Sequence, residues 1–501
     1  MGGRAFKDLH CPRISPDVYS KAKSQATAAL QTVFEQVVVP TEMPEKCDYG
    51  DIDFLVSNPL KSPGAYTIQN FPWEETVQRI KEAFGTTHGR RGYLTADCMY
   101  FAVNAPCDED YFIQIDVKVC FKPELFEWCT YELNYASNSK IIGSMVKPLG
   151  LTLDPEGIHI RVEDIEETDH HGSMVWVSKN PKDLLRIAGL DHRMVHNRFS
   201  TKEEIYQYFA SSWLFHPAHF AARLAEEKYN NRIGDRSPHW IHFIKVWVPK
   251  RFPSDRLLND ASDSVESKDS SNKRNLQDLQ AWYKHTRAAV RDKVFTMFPD
   301  VAREHYVRRV AYLKKQQEQR LIELLMNAIP VGTEGWKEDI AQPTIVFTDP
   351  APTTTNLKSA ALREMILPTS APRTPAPFKH GTSTQLSHTN TIYIDPLPRE
   401  PPIPCVQRPP PNSMSIPAKL ACLARWTDFD PHTGAPYVRC SRRPKDEDMY
   451  WADAVDAGAT EEVLVRWAKE AWWGIWARQV VVNYTGMWKR KFEKEDARKG
   501  I

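Results

Sequence analysis

Apolar and polar positions over the first 190 residues follow two different periods. Residues 20–39 read as a helix that runs into Val37-Val38-Val39, the start of a first strand. Ile52, Phe54, Leu55 and Val56 form a short apolar run entered through Gly50, which predicts a buried strand. Tyr111 to Cys120 is a second run of this kind, with Asp116 set among Ile113, Ile115 and Val117. From residue 193 to about 330 the pattern becomes mainly helical. Ser200-Thr201-Lys202-Glu203 is a capping box that opens a helix through Tyr206, Phe209 and Trp213. Trp240 to Val248 is apolar and aromatic throughout and fits either a buried strand or a helix. Ser262 to Asn275 is a Ser/Asp/Lys run that predicts a flexible loop. Two helices follow, separated by Pro299.

Residues 341–416 are rich in Pro, Thr and Ser, with Pro401-Pro402 and Pro409-Pro410-Pro411 as examples. Such a segment buries too little apolar surface to fold alone and predicts a disordered linker. Order returns in 417–501. Trp426 to Val438 reads as strand, turn and strand, and Thr460-Glu461-Glu462 starts a helix through Trp467, Trp472, Trp473 and Trp476. Seven of the fifteen tryptophans lie beyond residue 425, so this module is Trp-rich; a core stripe explains that better than a ligand platform. The expected division is a tail over 1–19, an α/β domain over 20–192, a helical domain over 193–340, the linker, and the C-terminal module.

Composition narrows the partners. Lys plus Arg number 65 against 64 Asp plus Glu, so a nucleic-acid surface has to be local. Between Leu276 and Pro330 there are ten basic and six acidic residues, with Arg303, Arg308, Arg309, Lys314, Lys315 and Arg320 on the second helix. That helix fits a backbone-tracking face, and fits equally a solvated helix over a Leu321-Leu324-Leu325 stripe. Nine scattered cysteines, Cys107 among them, form no C-x-x-C pair, which argues for a reducing compartment and against a zinc site. His170-His171 and His216-x-x-His219 lack a third ligand. No apolar run is long enough for a membrane span. The expected location is intracellular, nuclear or cytoplasmic, with an organelle left open.

The chemistry concentrates in Gly50-Asp51-Ile52-Asp53. Side chains alternate along a strand, so Asp51 and Asp53 point the same way. Two carboxylates on a buried strand repel and lose hydration unless a cation sits between them, and hard oxygen donors suit Mg²⁺ or Mn²⁺. The plainer reading of Asp-x-Asp is a turn cap or a solvent-facing strand end. Asp116 shifts the balance: if its strand lies beside the first, three carboxylates can hold two ions for an in-line phosphoryl transfer.

With these residues in view, the chain resembles the DNA polymerase beta-like nucleotidyltransferases, and within them the palm of family X polymerases. Gly50 to Val56 resembles the family's first metal motif, and Asp116 stands at about the spacing of its third acid. Tyr135-Ala136-Ser137-Asn138-Ser139 falls where the family has an aromatic and Gly-Ser turn near the nucleotide sugar. Gly150 to Ile158 looks like the stretch closing the palm, and Ser178 to Leu190 like its last helix. The resemblance covers about residues 20–192. It implies an α/β (α+β) fold: a palm with a mixed sheet, a helical extension, the linker and a small C-terminal α+β module. It further implies two Mg²⁺ or Mn²⁺ ions on Asp51, Asp53 and Asp116, an NTP or dNTP substrate, and a nucleotide site including Thr41, Lys46, Gly50, Tyr135 and Ser139.

The departures are local. Where the family carries Gly-Ser and then basic residues, this chain has Pro40-Thr41 followed by Glu42, Met43 and Pro44. Proline has no amide proton and methionine cannot stand in for arginine at a phosphate. His88-Gly89-Arg90-Arg91-Gly92-Tyr93 either supplies the missing positive charge or is a solvated hairpin tip. The expected activity is transfer of a nucleoside monophosphate to a hydroxyl, with an RNA or DNA 3′ end first among acceptors. A catalytically degenerate scaffold and a transferase for protein or small-molecule hydroxyls are the rivals. The linker and the C-terminal module are candidate docking segments for a protein partner.

Overall fold

The computed structural model describes residues 5–61, 64–93, 95–106, 110–137, 139–196, 199–225, 238–253, 265–337, 342–347 and 390–499. Asn138, Cys107, residues 262–264 and the linker's middle, 348–389, lie outside them. The class is α+β. The chain divides into two compact units, Met1–Val310 and Ala311–Ile501.

The first unit is built on a five-stranded mixed sheet. Helix α1 (Pro16–Leu30) starts at Ser15, whose hydroxyl accepts from the Val18 amide, with Pro16 in the first turn where a missing N–H is harmless. It buries Tyr19, Ala22, Ala26 and Leu30 at helical spacing. Strands β1 (Phe34–Val38) and β2 (Ile52–Pro59) follow, then helix α2 (Trp73–Phe84), which Gly85 ends at φ 64°. Strands β3 (His88–Arg91), β4 (Cys98–Asn104) and β5 (Phe112–Val119) complete the sheet. Its order is β1-β2-β5-β4-β3, with β2 parallel to β5 and the other pairs antiparallel.

One face of this sheet is apolar. Ile52, Phe54, Val56, Met99, Phe101, Ile113, Ile115 and Val117 pack with α1 and α2 into one core. The alternation that buries them turns Asp53, Asp116, Tyr100 and Gln114 to the opposite face. Helices α3 (Phe126–Ser137) and α4 (Ser139–Val146) lead into a second, antiparallel sheet of β6 (Leu151–Asp154), β7 (Gly157–Arg161) and β8 (Met174–Ser178).

Two expectations need correction, and one open alternative is decided. The loop expected over 262–275 is helical from Val265 onward, within the helix Val265–Met297. Trp240 to Val248 is helical, with a π-helical stretch at Phe243–Trp247 between short α-helical turns. The linker expected over 341–416 is ordered at its C-terminal end. Thr344–Phe347 pairs in parallel with Thr391–Ile394, and Ile392 is wholly buried. The Gln407 amide reaches the Ala477 carbonyl at 3.2 Å, and Trp476 Nε1 donates to the Arg408 carbonyl at 2.7 Å. Residues 390–416 therefore belong to the C-terminal unit, and the division between the two compact units falls inside the helix Pro299–Ala328.

The expected strand, turn and strand of the C-terminal unit are present, Thr427–Phe429 pairing antiparallel with Pro436–Val438. Trp426 and Trp472 are fully buried in one core with Trp451, Leu423 and Ile475. Arg439 and Arg443 beside them are engaged by Asp428 and Glu447. No described helix is long and apolar enough to cross a membrane.

Candidate active site

Register decides what the two acidic strands do together. Ile52 pairs with Ile115 and Asp53 with Asp116 across parallel β2 and β5, so the two carboxylates leave the same face side by side. Asp51 immediately precedes β2, two residues before Asp53. Burial lifts the Asp51 carboxyl above its ordinary range, Lys46 opposes the rise and Glu42 adds to it. Crowding by surrounding protein, reinforced by the charges of Asp51 and Glu42, pushes Asp53 up to about 6. Asp53 keeps an exposed surface, so it faces outward from the sheet. Burial likewise pushes Asp116 up to about 7, opposed by a hydrogen bond from Gln114 and reinforced by Asp51 and Asp53. The three sequence-predicted acids are thus electrostatic neighbours.

The side chains do not form a closed cage: among the described residues no group of three or more His, Cys, Asp or Glu is arranged to hold a metal ion. Carboxylate oxygens on one face are nevertheless the donor type that a hard divalent cation takes. Gln114 Nε2 donates to Asp116 Oδ1 at 2.7 Å and leaves Oδ2 to other partners.

The same cross-strand level continues past the acids. Asp116 pairs with Tyr100 on β4, and Tyr100 with Arg90 on β3. At about 4.8 Å per strand, Arg90 stands roughly 10 Å from Asp116. Its guanidinium lies 5.5 Å from the Tyr100 ring and donates to the Ala5 carbonyl at 2.8 Å. The Ala5 amide in turn reaches Gln114 Oε1 at 2.8 Å, so an N-terminal segment bridges this strip. Arg91 turns to the other face, over the Trp73 ring at 4.1 Å and onto the Ala96 carbonyl. Both arginines are engaged locally.

The expected nucleotide-binding residues are held in particular ways. The Thr41 amide donates to Asn134 Oδ1 at 2.8 Å, and the Tyr135 amide donates to the Thr41 carbonyl at 2.6 Å. The amide left where the family has Gly-Ser is therefore already used. Lys46 pairs with Glu42 at 2.7 Å and lies over the Tyr49 ring at 4.6 Å. The Tyr135 ring is buried edge-on to Phe199, so its backbone rather than its ring touches the Thr41 turn. Ser139 donates to the Glu132 carbonyl at 3.1 Å, and Gly50 is buried where the chain enters β2. Tyr135, Ala136 and Ser137 adopt φ of 54°, 56° and 62°, a left-handed turn made without glycine.

Sequence reasoning missed Glu42, Gln114 and Asn134. Gln114 was findable, since it lies two residues before Asp116 on one strand face. Glu42 and Asn134 gave no local signal, because their roles depend on segments far away in the chain. His219 is held in the packing, in contact with Tyr283 Oη at 2.6 Å and the Ser144 carbonyl at 2.9 Å. On the helix Pro299–Ala328, Arg308 and Arg309 are held within the first unit by Met174 and Asp164, and Lys314 and Arg320 within the second by Asp453 and Glu461. No protein-family model and no curated protein matches this chain.

Proposed function

We propose that the chain is a metal-dependent nucleotidyltransferase that moves a nucleoside monophosphate from an NTP or dNTP to a nucleic-acid 3′ hydroxyl. The observation that carries this reading is the side-by-side placement of Asp53 and Asp116 on the polar face of the sheet, with Asp51 adjoining. The donors suit two Mg²⁺ or Mn²⁺ ions, which when bound lower the pKa of the acceptor hydroxyl and neutralise the triphosphate. Asp116 receives the acceptor proton at Oδ2 while Gln114 holds Oδ1 in place. The acceptor oxygen bonds to the α-phosphorus as the bond to the β-phosphate bridging oxygen breaks, and pyrophosphate leaves. The strip through Tyr100 and Arg90 runs in line with Asp116, the direction a strand-like acceptor takes, with Arg90 already held by the Ala5 carbonyl.

A second reading, a degenerate scaffold, is favoured by the Thr41 turn. Pro40 has no amide proton and the Thr41 amide is spent on Asn134, so neither backbone amide of this pair is left for a triphosphate. Radiolabelled transfer separates the two: each NTP and dNTP with Mg²⁺ or Mn²⁺ on a mixed RNA and DNA primer pool, with Asp51→Ala/Asp53→Ala as control. Label incorporated by the native chain and lost in the control supports transfer. Absence of label, with no nucleotide-dependent thermal shift, supports the scaffold.

A further inference from the structure

A cavity of about 600 Å³ opens in the first unit, away from the acidic strands, where β6 and β7 meet the two long helices. Four guanidinium groups, from Arg161, Arg287, Arg291 and Arg309, line it against the carboxylates of Glu163 and Asp164.

The four arginines are not equally occupied. Arg161 is structural: Nε binds Glu166 at 2.6 Å, and Nη1 binds the Leu151 carbonyl and Thr152 Oγ1, each at 2.8 Å. Arg309 is held by Asp164 at 2.7 Å. Arg287 reaches Glu166, which Arg161 also binds, through Nη1 at 2.7 Å, and Glu163 more distantly through Nε at 3.8 Å; among the described residues its buried Nη2 has no hydrogen-bond partner. Among the described residues Arg291 pairs only with Asp292, 3.7 Å away and 73% exposed. Glu166 thus serves two arginines, one buried donor is unmatched, and one guanidinium is loosely paired. Buried polar groups are ordinarily satisfied, so an unmatched cationic donor points to a missing acceptor. Burial holds His305 below its usual range, with the charges of Arg291 and Arg309 adding to the shift and the Arg161 backbone and Asp164 opposing it.

Backbone shape contributes too. Gly150 has φ +87°, and a Cβ there would stand 3.1 Å from Arg287 Nε. A glycine at this point lets the guanidinium lie flat against the chain. Phe295 and Tyr306 add aromatic surface to the wall.

We infer that this cavity is a binding site for a phosphate-bearing small molecule, with Arg287 and Arg291 as its anion ligands. A doubly charged group with several oxygens is what convergent planar donor forks accept best. The site is independent of the proposed transfer reaction, because none of its residues lies on β2 or β5.

Calorimetric titration of the full chain in EDTA with inorganic phosphate, pyrophosphate and a nucleoside monophosphate tests this. Saturable binding of at least one probe is expected, weakened tenfold or more by Arg291→Gln and by Arg287→Gln, and unchanged by Asp51→Ala/Asp53→Ala. A nucleotide binding more tightly than phosphate would assign the aromatic wall to its organic part, and equal binding would assign the site to the phosphate alone. Should Arg287→Gln fail to fold, Arg291→Gln, at a loosely paired side chain, decides the matter. No saturable binding, or binding that survives Arg291→Gln or is lost with the aspartate pair, overturns the inference. Loss of transfer activity has no bearing on this readout.

Discussion

Asp53 and Asp116 are register partners on neighbouring parallel strands, so their carboxylates leave the same face of the sheet side by side. Burial lifts both carboxyls, Asp53 to about 6 and Asp116 to about 7, and neighbouring carboxylates add to it: Asp51 and Glu42 at Asp53, Asp51 and Asp53 at Asp116. Carboxylates held in this way work against the stability of the fold. Asp116→Asn keeps the oxygen that Gln114 binds and removes one charge, so it should stabilise the protein by about 1 kcal/mol in EDTA at pH 8. The same change should reduce nucleotide transfer at least 100-fold. Added Mg²⁺ should raise the melting temperature of the native chain and leave that of Asp51→Ala/Asp53→Ala unmoved. A lower melting point for Asp116→Asn in EDTA would show that the carboxylates are not in conflict.

The left-handed turn after Leu133 makes a second prediction. Ala136 is exposed and sits at φ 56°, where a Cβ is unfavourable by roughly 1–2 kcal/mol. Glycine loses that strain and gains unfolded-state freedom, so Ala136→Gly should stabilise by about 0.5–1 kcal/mol in chemical denaturation. Within an ordinary helix the same change destabilises. A loss of stability would therefore mean that residues 135–137 are helical in solution.

The acids were legible because strand alternation is a local property: Asp51, Asp53 and Asp116 could be assigned to faces before any pairing was known. That Asp53 meets Asp116 rather than Gln114 is a matter of register, which the sequence does not state. Proline-rich 390–416 misled for a related reason. Its order comes from surfaces supplied by Ala477, Trp476 and Asp496, far along the chain, and not from its own apolar content. Residues 265–275 carry loop-like composition yet extend a helix whose later turns bury Leu279 and Val290. The cavity at Arg287 was illegible altogether, since its four arginines come from two sheet and helix regions more than a hundred residues apart.

Glu132 supplies a pH dependence away from the acid cluster. Burial lifts its carboxyl from 4.5 to about 7, with Asp154 adding and Lys118 and Lys140 opposing. Between those values the folded chain holds a proton that the unfolded chain releases. The stability this provides is complete below pH 4.5 and is lost as pH rises through 7. Glu132→Gln should match the native chain near pH 4.5 and exceed it by about 1–2 kcal/mol at pH 8, discounted for partial exposure. Denaturant midpoints across pH 4.5–8 would reveal the difference. A gap that stays constant with pH would exclude Glu132 as its source.

The C-terminal unit offers a test of its core. Gln479 is buried, its Oε1 accepting from Trp426 Nε1 at 3.0 Å while its amide reaches Asn483 Oδ1 at 2.8 Å. Trp426 is fully buried, so its indole N–H has no water to turn to. Gln479→Leu should destabilise the unit by about 1–3 kcal/mol, because the donor is left unmatched rather than merely unbonded. Trp426→Phe removes that donor along with part of the ring. If the hydrogen bond is the coupling, the double variant should lose about 1 kcal/mol less than the sum of the single losses. Tryptophan fluorescence followed through urea unfolding measures all four corners of the cycle. Strict additivity would mean that Gln479 acts by filling space and that the indole finds its acceptor elsewhere.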